Sequence, residues 1–457
     1  MKPVKAGGAK GSANQQSPEA KHAGHRRSIR RMEHELKGIR YQSEKYKRVT
    51  TLINRVNEES LKEAHRRQKT GKAVGVDGIM KEEYGNNLEE NVKGLVDRMK
   101  KFKYIPQDVK RVYIPKPNGK LRPLGIPAYE DRLVQSVMAD VLNDVYEPRF
   151  LDCSYGFRPN RSAHDVVKYI NQAIMTRNVN YVLEADIKGF FDNLDQKWLL
   201  KFLEHDIADK NFLRYVARFL KAGIMEGTER RENDRGTPQG GQISPVLANV
   251  YLHYVLDQWY DIGLKNKLRG EVYYVRFADD FLFLFQYLED AEDVMMGLKA
   301  RLGRFGLELA EEKTRILPIG RYKGTKEEFD FLGFTFFNAK TRKGGHRIGV
   351  ITSQKKLKTK RQVVKAWLRT RLTKPVAETM QLINLSLAGH YNYYGVSGNS
   401  KAIGGFYHYV YIMTYRMLNR RDQKGKLHWD KYNRIWKYYV KPPRLTTDIW
   451  YCEPMLI

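Results

Sequence analysis

The stretch that most restricts the fold runs from Val272 to Phe285 and reads VYYVRFADDFLFLF. Two runs of apolar and aromatic residues flank a pair of adjacent aspartates, Asp279 and Asp280. Each run has the length and composition of a buried strand, so the pattern predicts a hairpin with the aspartates at or beside a tight turn. A chain that buries both strands must therefore hold two carboxylates side by side at one end of a sheet.

Adjacent carboxylates repel each other, and the repulsion raises the pKa of one of them unless a cation binds nearby. The pair offers only oxygen ligands, with no histidine or cysteine close by in the sequence, and such a ligand set suits Mg²⁺. Aspartate is also an ordinary turn residue, so the pair alone is a weak indication of a metal site.

A third carboxylate strengthens the metal hypothesis. Asp186 ends another strand-like run, in NYVLEADIKGFFDNL at 180–194. If that strand lies beside the hairpin, Asp186 and Asp279 can share two Mg²⁺ ions about 3.5–4 Å apart, an arrangement that suits phosphoryl transfer. Mn²⁺ stays open as a substitute. Asp192 and Asp195 are interpreted as helix-start or solvent residues.

The remaining patterns predict an α+β fold. A basic hairpin is expected at 110–127, followed by an amphipathic helix that ends before Pro148. FDFLGFTFF at 329–337 has the composition of a single strand, and the last hundred residues predict mainly basic, aromatic-rich helices. Further helices are predicted in KWLLKFLEHDI, NFLRYVARFLKAGI, SPVLANVYLHYVLDQWYDIGL and AEDVMMGLKARLGRFGLEL.

The formal net charge of +30 is concentrated at the two ends of the chain. Residues 1–48 contain 13 lysines and arginines against 4 acidic residues, and residues 351–457 contain 20 against 5. Such an excess favours a polyanionic partner, most often nucleic acid. Residues 1–30 contain no aromatic residue and are expected to be disordered.

Cysteine content and hydropathy exclude several classes of protein. The two cysteines, Cys153 and Cys452, form no CxxC pair, which excludes a CxxC-type zinc site and argues against a disulfide scaffold. No apolar run is long enough to span a bilayer, and the N-terminus has no apolar signal core. The expectation is a cytoplasmic protein of the reducing bacterial cytosol, with an organelle left open and no membrane partner.

Several blocks together resemble the reverse transcriptases and maturases that group II introns encode. RFADDFLFLF resembles the F/Y-A-D-D motif, and ADIKGFFDNL resembles the first catalytic motif. The resemblance covers residues 50–445, with the blocks in the family's order. The other matching blocks are YIPKPNGKLRPLGIPAYEDRLVQ, CSYGFRPNRSAHDVV, RGTPQGGQISPVLANVYLHYVLD, GLELAEEKTRI and FDFLGFTF.

The resemblance implies a right-hand polymerase with fingers, a palm built on an antiparallel sheet and a helical thumb, followed by a helical maturase domain X. It divides the chain into a basic tail (1–48), fingers and palm (49–345), and thumb with domain X (346–457). The implied function is an RNA-directed DNA polymerase that uses two Mg²⁺ ions to extend a primer with dNTPs on an RNA template. Binding of structured intron RNA, a splicing role and a DNA target are also implied, and a homodimer stays open.

The resemblance also implies roles for individual residues. Asp186, Asp279 and the backbone of Ile187 would ligate metal, and Asp280 would complete the acidic set. Phe191 would lie under the sugar and clash with a 2′-hydroxyl. The remaining expected contacts are Lys116, Arg122, Gln239 and Lys313 with the nucleotide, and Arg420, Arg421, Lys424 and Lys426 with RNA.

Some positions depart from the family or allow two interpretations. Phe277 stands where tyrosine is usual before the aspartates, which puts nucleotide positioning in doubt but not metal binding. FLGF (331–334) resembles the primer-grip turn, although its aromatic residues could equally be core, and His390 is interpreted as a structural histidine. The HNH nuclease of some family members, with its paired cysteines, is expected to be absent.

Three other functions stay open at this stage. The same chemistry could serve host repair or phage defence, and a neighbouring intron RNA or defence locus would separate these from an intron role. A non-catalytic RNA-splicing chaperone is disfavoured by the complete set of aspartates. An RNA-dependent RNA polymerase is disfavoured by Phe191.

Overall fold

The computed structural model describes residues 36–115, 121–237, 240–324, 326–421 and 427–450. It mixes helices and sheets, as the α+β prediction requires. The helices are α1 (36–45), α2 (Glu58–Arg67), α3 (Lys81–Asn86), α4 (Leu88–Lys100), α5 (Tyr129–Tyr146), α6 (Ala163–Thr176), α7 (Phe190–Asn193), α8 (Gln196–Asp206), α9 (Lys210–Lys221), α10 (Ser244–Leu252), α11 (Leu288–Arg304), α12 (Gln354–Arg369), α13 (Val376–Tyr394), α14 (Ser400–Leu418) and α15 (Trp429–Tyr439).

Within the same ranges the strands form three sheets. The central sheet has the order β6–β7–β3–β8, and each neighbouring pair is antiparallel. A second sheet has the order β2–β1–β4–β5, and a third has the order β11–β10–β9. The strands are β1 (Val109–Pro115), β2 (Leu121–Ile126), β3 (Tyr181–Ala185), β4 (Ile224–Glu226), β5 (Glu229–Arg231), β6 (Val272–Phe277), β7 (Asp280–Phe285), β8 (Arg315–Pro318), β9 (Glu328–Phe331), β10 (Phe334–Lys340) and β11 (His346–Thr352).

The central sheet is buried on both faces, which explains why DFLFLF is apolar throughout. Phe281 and Phe283 belong to the apolar core formed with the N-terminal helices, whereas Leu282 and Leu284 belong to a second core shared with the third sheet. Successive side chains of a strand point to opposite faces, so a strand between two cores needs apolar residues at every position. A third core joins α12 to α15.

Side-chain caps fix several helix starts. Asn57 and Ser60 form a capping box at α2, and Ser162 and Asp165 form one at α6. Asp195 accepts hydrogen bonds from two backbone N–H groups at the start of α8. The interpretation of Asp195 as a helix-start residue is therefore confirmed.

The predicted hairpin at 110–127 and the helix that ends before Pro148 are both present, as β1–β2 and α5. The prediction of a single strand at 329–337 is wrong, because Leu332 and Gly333 form a turn between β9 and β10 with φ angles of 50° and 81°. The helix predicted to continue to Leu309 ends at Arg304, where Gly306 has a φ of 74°.

The helix that begins at Ser244 does not stay α-helical. Beyond Leu252 it widens into π-helical segments at His253–Asp257 and Trp259–Leu264. π-helical turns are rare and often accompany functional sites. Asp257, on the first segment, is fully buried behind the central sheet.

None of the helices in the described part of the chain is both long enough and apolar enough to cross a bilayer.

Candidate active site

The central sheet brings the two predicted aspartate motifs together. The β3–β7 ladder runs up to the residues next to both motifs, so the same register brings Asp186 opposite Asp280 and Ile187 opposite Asp279. Directly opposite residues of an antiparallel pair project from the same face of the sheet. The condition set from the sequence, that the strand before Asp186 lies beside the hairpin, is therefore met.

Lys313 extends this row on the other side of Asp186. The β3–β8 ladder pairs Glu184 with Arg315, and its continuation brings Asp186 level with Lys313. The Lys313 ammonium donates a hydrogen bond to Asp186 Oδ2, which raises the pKa of Lys313. Lys313, Asp186 and Asp280 thus form a row of one ammonium and two carboxylates across three neighbouring segments of backbone.

The backbone of Ile187 is oriented toward the hairpin. Ile187 pairs with Leu309 in an isolated antiparallel β-bridge. The hydrogen bonds of this bridge are made by the residues on either side of Ile187 and Leu309. The carbonyl of Asp186 accepts from Ala310 at 2.8 Å, and the N–H of Lys188 donates to the opposite segment at 2.9 Å. In this type of antiparallel pair the central residue's own N–H and carbonyl point the other way, here toward the side on which β7 lies.

The hairpin turn consists of only two residues. Phe277 pairs with Asp280, which leaves Ala278 and Asp279 as the loop. Ala278 has a φ of 58°, which is uncommon for a residue with a side chain. Gly156 packs directly beneath it, since a Cβ at Gly156 would lie 2.2 Å from the Ala278 nitrogen.

Burial and mutual repulsion raise the pKa of Asp279. Burial is the largest cause and the charge of Asp186 adds to it, while Arg122 and Arg276 act in the opposite direction. Arg122, the predicted nucleotide contact on β2, therefore lies within electrostatic range of the aspartates. Arg122 is exposed to solvent.

The pKa of Asp280 is raised to about 6, first by burial and then by Asp279 and Asp186. Lys356 and Lys313 oppose this rise. Asp280 nevertheless keeps a solvent-exposed surface at the start of β7. The first turn of α12, which carries Lys356, therefore faces the aspartates.

The chemistry of these residues fits divalent metal ions. Asp186, Asp279 and the carbonyl of Ile187 provide only hard oxygen ligands, and a cation would relieve the repulsion that raises the pKa of Asp279 and Asp280. Within the described ranges, no three His, Cys, Asp or Glu side chains lie close enough together to hold a metal as they stand. Lys313 supplies the positive charge at Asp186 instead.

Phe191 lies on the short helix α7, five residues after Asp186. Its ring is half-buried and packs edge-on against Phe190 with 5.3 Å between ring centroids, and its carbonyl accepts from Thr237 N at 2.9 Å. Phe190 is buried in the core. Two other predicted nucleotide contacts, Lys116 and Gln239, lie outside the described residues.

Gly240 is close to the second sheet. Its φ is 114°, and a Cβ there would lie 2.3 Å from the Gly125 carbonyl on β2. The family resemblance implies that the missing side chain at this position lets the backbone approach nucleotide and template. In the structure the close approach is made by β2.

Two of the four predicted RNA contacts can be described. Arg420 is exposed near the end of α14, whereas Arg421 is half-buried and donates hydrogen bonds to the carbonyls of Arg371 and Lys374. Arg421 therefore holds the connection between α12 and α13. Lys424 and Lys426 lie outside the described residues.

A basic groove between α12 and α14 was not predicted residue by residue. Arg420 lies at one end, Tyr409 lies at its centre, and no acidic residue lines the described part. Helical spacing within the basic sequence 354–372 could have identified the α12 face, but not the helix that packs beside it. The other basic residues of this α12–α14 groove are Lys355, Lys358, Arg361, Lys365, Arg369 and Arg416.

Arg276 was also missed by sequence reasoning. It is the next-to-last residue of β6 and is fully buried, with an ion pair to Asp257 at 2.6 Å. The signal was present, because an arginine inside an apolar strand must find a buried partner.

Comparisons with known proteins agree with the motifs. Residues 114–336 match the family described as reverse transcriptase (RNA-dependent DNA polymerase). The group II intron-encoded protein LtrA of Lactococcus lactis subsp. cremoris is 39% identical over 203 residues, which are 44% of this chain and 33% of LtrA. This chain therefore matches only a third of LtrA's length.

Two further relatives extend the comparison. Protein YkfC of Escherichia coli (strain K12) is 32% identical over 315 residues, which are 62% of this chain and 80% of YkfC. The Arabidopsis thaliana protein named nuclear intron maturase 2, mitochondrial, is 29% identical over 181 residues, which are 31% of this chain and 24% of that protein.

Proposed function

This chain belongs to the reverse transcriptase family, in the branch of group II intron-encoded reverse transcriptases and maturases, and from that premise we propose that it extends primers with deoxynucleotides on an RNA template. The observation that carries the proposal is the row of Lys313, Asp186 and Asp280 beside the turn at Asp279. This row places acidic and basic groups side by side where β3, β7 and β8 meet at one edge of the central sheet. Such an arrangement suits phosphoryl transfer, in which catalysis is mostly positioning and charge stabilisation.

The aspartates and the carbonyl of Ile187 would hold two Mg²⁺ ions. When bound, these ions supply activation of the primer hydroxyl and stabilisation of the leaving pyrophosphate. The protein's own contribution is to fix the ligands, because β3 and the two-residue turn leave little freedom to Asp186 and Asp279. Asp280 adds negative charge that favours cations at this site.

Three other residues would handle the nucleotide. Arg122, exposed on β2, would neutralise triphosphate oxygens, since a guanidinium binds phosphate with two parallel hydrogen bonds. Lys313, already bonded to Asp186, would supply a proton or a charge to the departing pyrophosphate. Phe191, fixed by Phe190 and by the hydrogen bond to Thr237, would exclude a 2′-hydroxyl.

The test is Mg²⁺-dependent primer extension on an RNA template, with dNTPs and separately with rNTPs. We expect cDNA from dNTPs and little product from rNTPs. The double variant Asp279→Asn with Asp280→Asn should lose activity by at least about three orders of magnitude, since it removes metal ligands and charge together. The matched control is Asp192→Asn, an exposed aspartate in the same motif, which should retain activity.

The opposite results would separate the alternatives. A folded wild-type protein that extends no primer but binds RNA would favour a splicing chaperone. Equal use of rNTPs would favour an RNA polymerase.

A second candidate role, binding of structured intron RNA, is favoured by the α12–α14 groove. On a helix each residue turns by about 100°, so the groove residues Lys358 and Lys365 lie on the side of α12 opposite Lys356. Since Lys356 faces the aspartates, the groove is directed away from them. RNA bound there would not compete with primer and template.

Charge reversal tests this second role. Lys358→Glu with Lys365→Glu should weaken binding of a folded RNA and reduce the slope of log affinity against log salt by about 2, because each phosphate contact contributes about one unit. Primer extension should change little. The control is Lys93→Glu with Lys100→Glu on α4, and equal weakening by both pairs would indicate a general charge effect only.

A further inference from the structure

Arg276 is a fully buried arginine whose five N–H groups are all used. Nε and Nη2 donate to the two carboxylate oxygens of Asp257 at 2.8 and 2.6 Å. Nη1 donates to Asn249 Oδ1 at 2.8 Å and to the Ala278 carbonyl at 3.0 Å, and Nη2 also donates to Ser154 Oγ at 2.7 Å. The guanidinium thus joins the segment at Ser154, the helix that begins at Ser244 and the β6–β7 turn.

The partners of Arg276 are themselves tied to the catalytic turn. Asn249, on α10, also donates to the Gly156 carbonyl at 2.7 Å. Gly156 packs against the backbone nitrogen of Ala278, so the turn is held at its carbonyl by Arg276 and at its nitrogen side by Gly156. Both contacts act on the residue directly before Asp279.

Stability alone does not explain such a network. A buried ion pair contributes about as much as apolar side chains of similar volume would, because desolvation of two charges offsets their attraction. An apolar residue at position 276 could fill the space, but it could not hold the carbonyl of Ala278. A left-handed alanine needs such restraint, because its side chain makes that backbone conformation unfavourable.

We propose that Arg276, aligned by Asp257, is a positioning residue that fixes the Ala278–Asp279 turn and thereby sets the affinity of the acidic site for divalent metal. The inference rests on the proposed polymerase function for its meaning, but it concerns metal binding by the free protein. Arg276 touches neither metal nor nucleotide and acts through the peptide that precedes Asp279.

The first variant is Arg276→Lys, which keeps the positive charge but cannot form the planar set of five hydrogen bonds. The readout is Mn²⁺ binding without primer or nucleotide, followed by electron paramagnetic resonance. We expect about tenfold weaker binding, the usual effect of removing an outer partner of a ligand. The half-saturating Mg²⁺ concentration in primer extension should rise by a similar factor.

Arg149→Lys is the matched control. Arg149 is also largely buried and hydrogen-bonded, to Asp206, to Ser43 Oγ and to the Lys47 carbonyl, but these partners contact neither Arg276 nor the turn. It should lower thermal stability without changing Mn²⁺ affinity. Equal Mn²⁺ affinity in wild type and Arg276→Lys, or an equal loss in both variants, would overturn the proposal.

Asn249→Ala provides a milder test if Arg276→Lys does not fold. It removes one partner of Arg276 and the link to Gly156, and we expect Mn²⁺ binding to weaken about threefold, with an unchanged affinity counting against the proposal. The two hypotheses fail separately. Absence of primer extension by wild type would reject the polymerase, whereas the Mn²⁺ titrations would still decide the role of Arg276.

Discussion

Two hairpin turns in the described part of the chain hold a residue with a side chain in the left-handed region, and different forces hold them there. The β6–β7 turn has Ala278 at a φ of 58°, and the β9–β10 turn has Leu332 at 50°. Such conformations persist only where the surroundings enforce them. The two turns therefore show how one chain restrains backbone by two different means.

The β6–β7 turn is restrained from inside the sheet by charge. Arg276 and Asp257 are both fully buried, and the hydrogen bond from Arg276 to the Ala278 carbonyl does not involve α12 to α15. The turn that carries the acidic residues is thus held by the part of the molecule that contains the central sheet and β3.

The β9–β10 turn is restrained by the helical C-terminal region. The Leu332 carbonyl accepts from the Tyr393 hydroxyl at 2.8 Å, and the Gly333 carbonyl accepts from Ser353 N at 2.9 Å. A Cβ at Gly333 would lie 2.9 Å from the hydroxyl oxygen of Tyr394. Phe331 and Phe334 on either side are buried, so the core interpretation of these aromatic residues is confirmed, while Leu332 and Gly333 are partly exposed.

The largest expected effect comes from removing the charge that restrains the first turn. Asp257→Asn leaves Arg276 buried without a counter-charge, and we expect a loss of about 3 kcal/mol in the free energy of unfolding. Urea denaturation measures it. The control is Asp152→Asn, which breaks the pair with Arg161 at a carboxylate that is 95% exposed.

The control should cost less than about 1 kcal/mol, because exposed ion pairs contribute little. Similar losses in the two variants would mean that the buried pair does not restrain the first turn in the way described.

The next largest effect is expected at the β9–β10 turn, where burial of His390 should make the stability of the protein depend on pH. Burial lowers the pKa of His390 to about 3, and the charge of Lys360 adds to this. The His390 ring lies 4.9 Å from Tyr394, the residue packed on Gly333. The interpretation of His390 as structural agrees with its burial, although neither ring nitrogen has a hydrogen-bond partner in the described residues.

The sign follows from proton linkage. Below a pH of about 6.5 an unfolded chain protonates this histidine while the folded chain does not, so stability falls as the pH drops toward 3. Between pH 7 and pH 5 we expect a loss of about 2 kcal/mol from this group. His390→Leu should remove that part of the pH dependence, whereas His408→Leu, at an exposed position on α14, should not.

Unchanged acid sensitivity in His390→Leu would show that protonation of His390 does not contribute to the pH dependence of stability.

The strand patterns predicted the acidic turn and its partner strand well, because alternation, burial and turn chemistry are local properties. The contacts that restrain the turn could not be predicted, since Asp257 lies on a π-helical segment whose phase no pattern indicates. The bond between Lys313 and Asp186 joins residues 127 positions apart. The turn at Leu332 was missed because leucine gives no local signal for a left-handed conformation.

Substitution of Lys313 is expected to change the rate of the reaction without changing either hairpin turn. Lys313→Met removes the ammonium that is bonded to Asp186, and we expect kcat to fall by about tenfold, a modest effect for loss of an acid group. The half-saturating Mg²⁺ concentration should not rise, because Asp186 loses a competing cation. Lys299→Met, which breaks an exposed pair with Glu311 close by, should leave both quantities unchanged.

A rise in the half-saturating Mg²⁺ concentration in Lys313→Met would mean that Lys313 organises the metal ligands, as Arg276 is proposed to do.

The smallest expected effect tests the restraint on the second turn directly. Tyr393→Phe removes only the hydroxyl that donates to the Leu332 carbonyl, a hydrogen bond contributing about 1 kcal/mol. Because this turn resembles the primer grip, KM for primer–template should rise about threefold to fivefold while kcat and the Mg²⁺ dependence stay constant. Tyr438→Phe, at a side chain that is 82% exposed, is the control. A change in Mg²⁺ dependence with Tyr393→Phe would mean that the two turns are coupled, and that the charge beneath Ala278 does not restrain the acidic turn on its own.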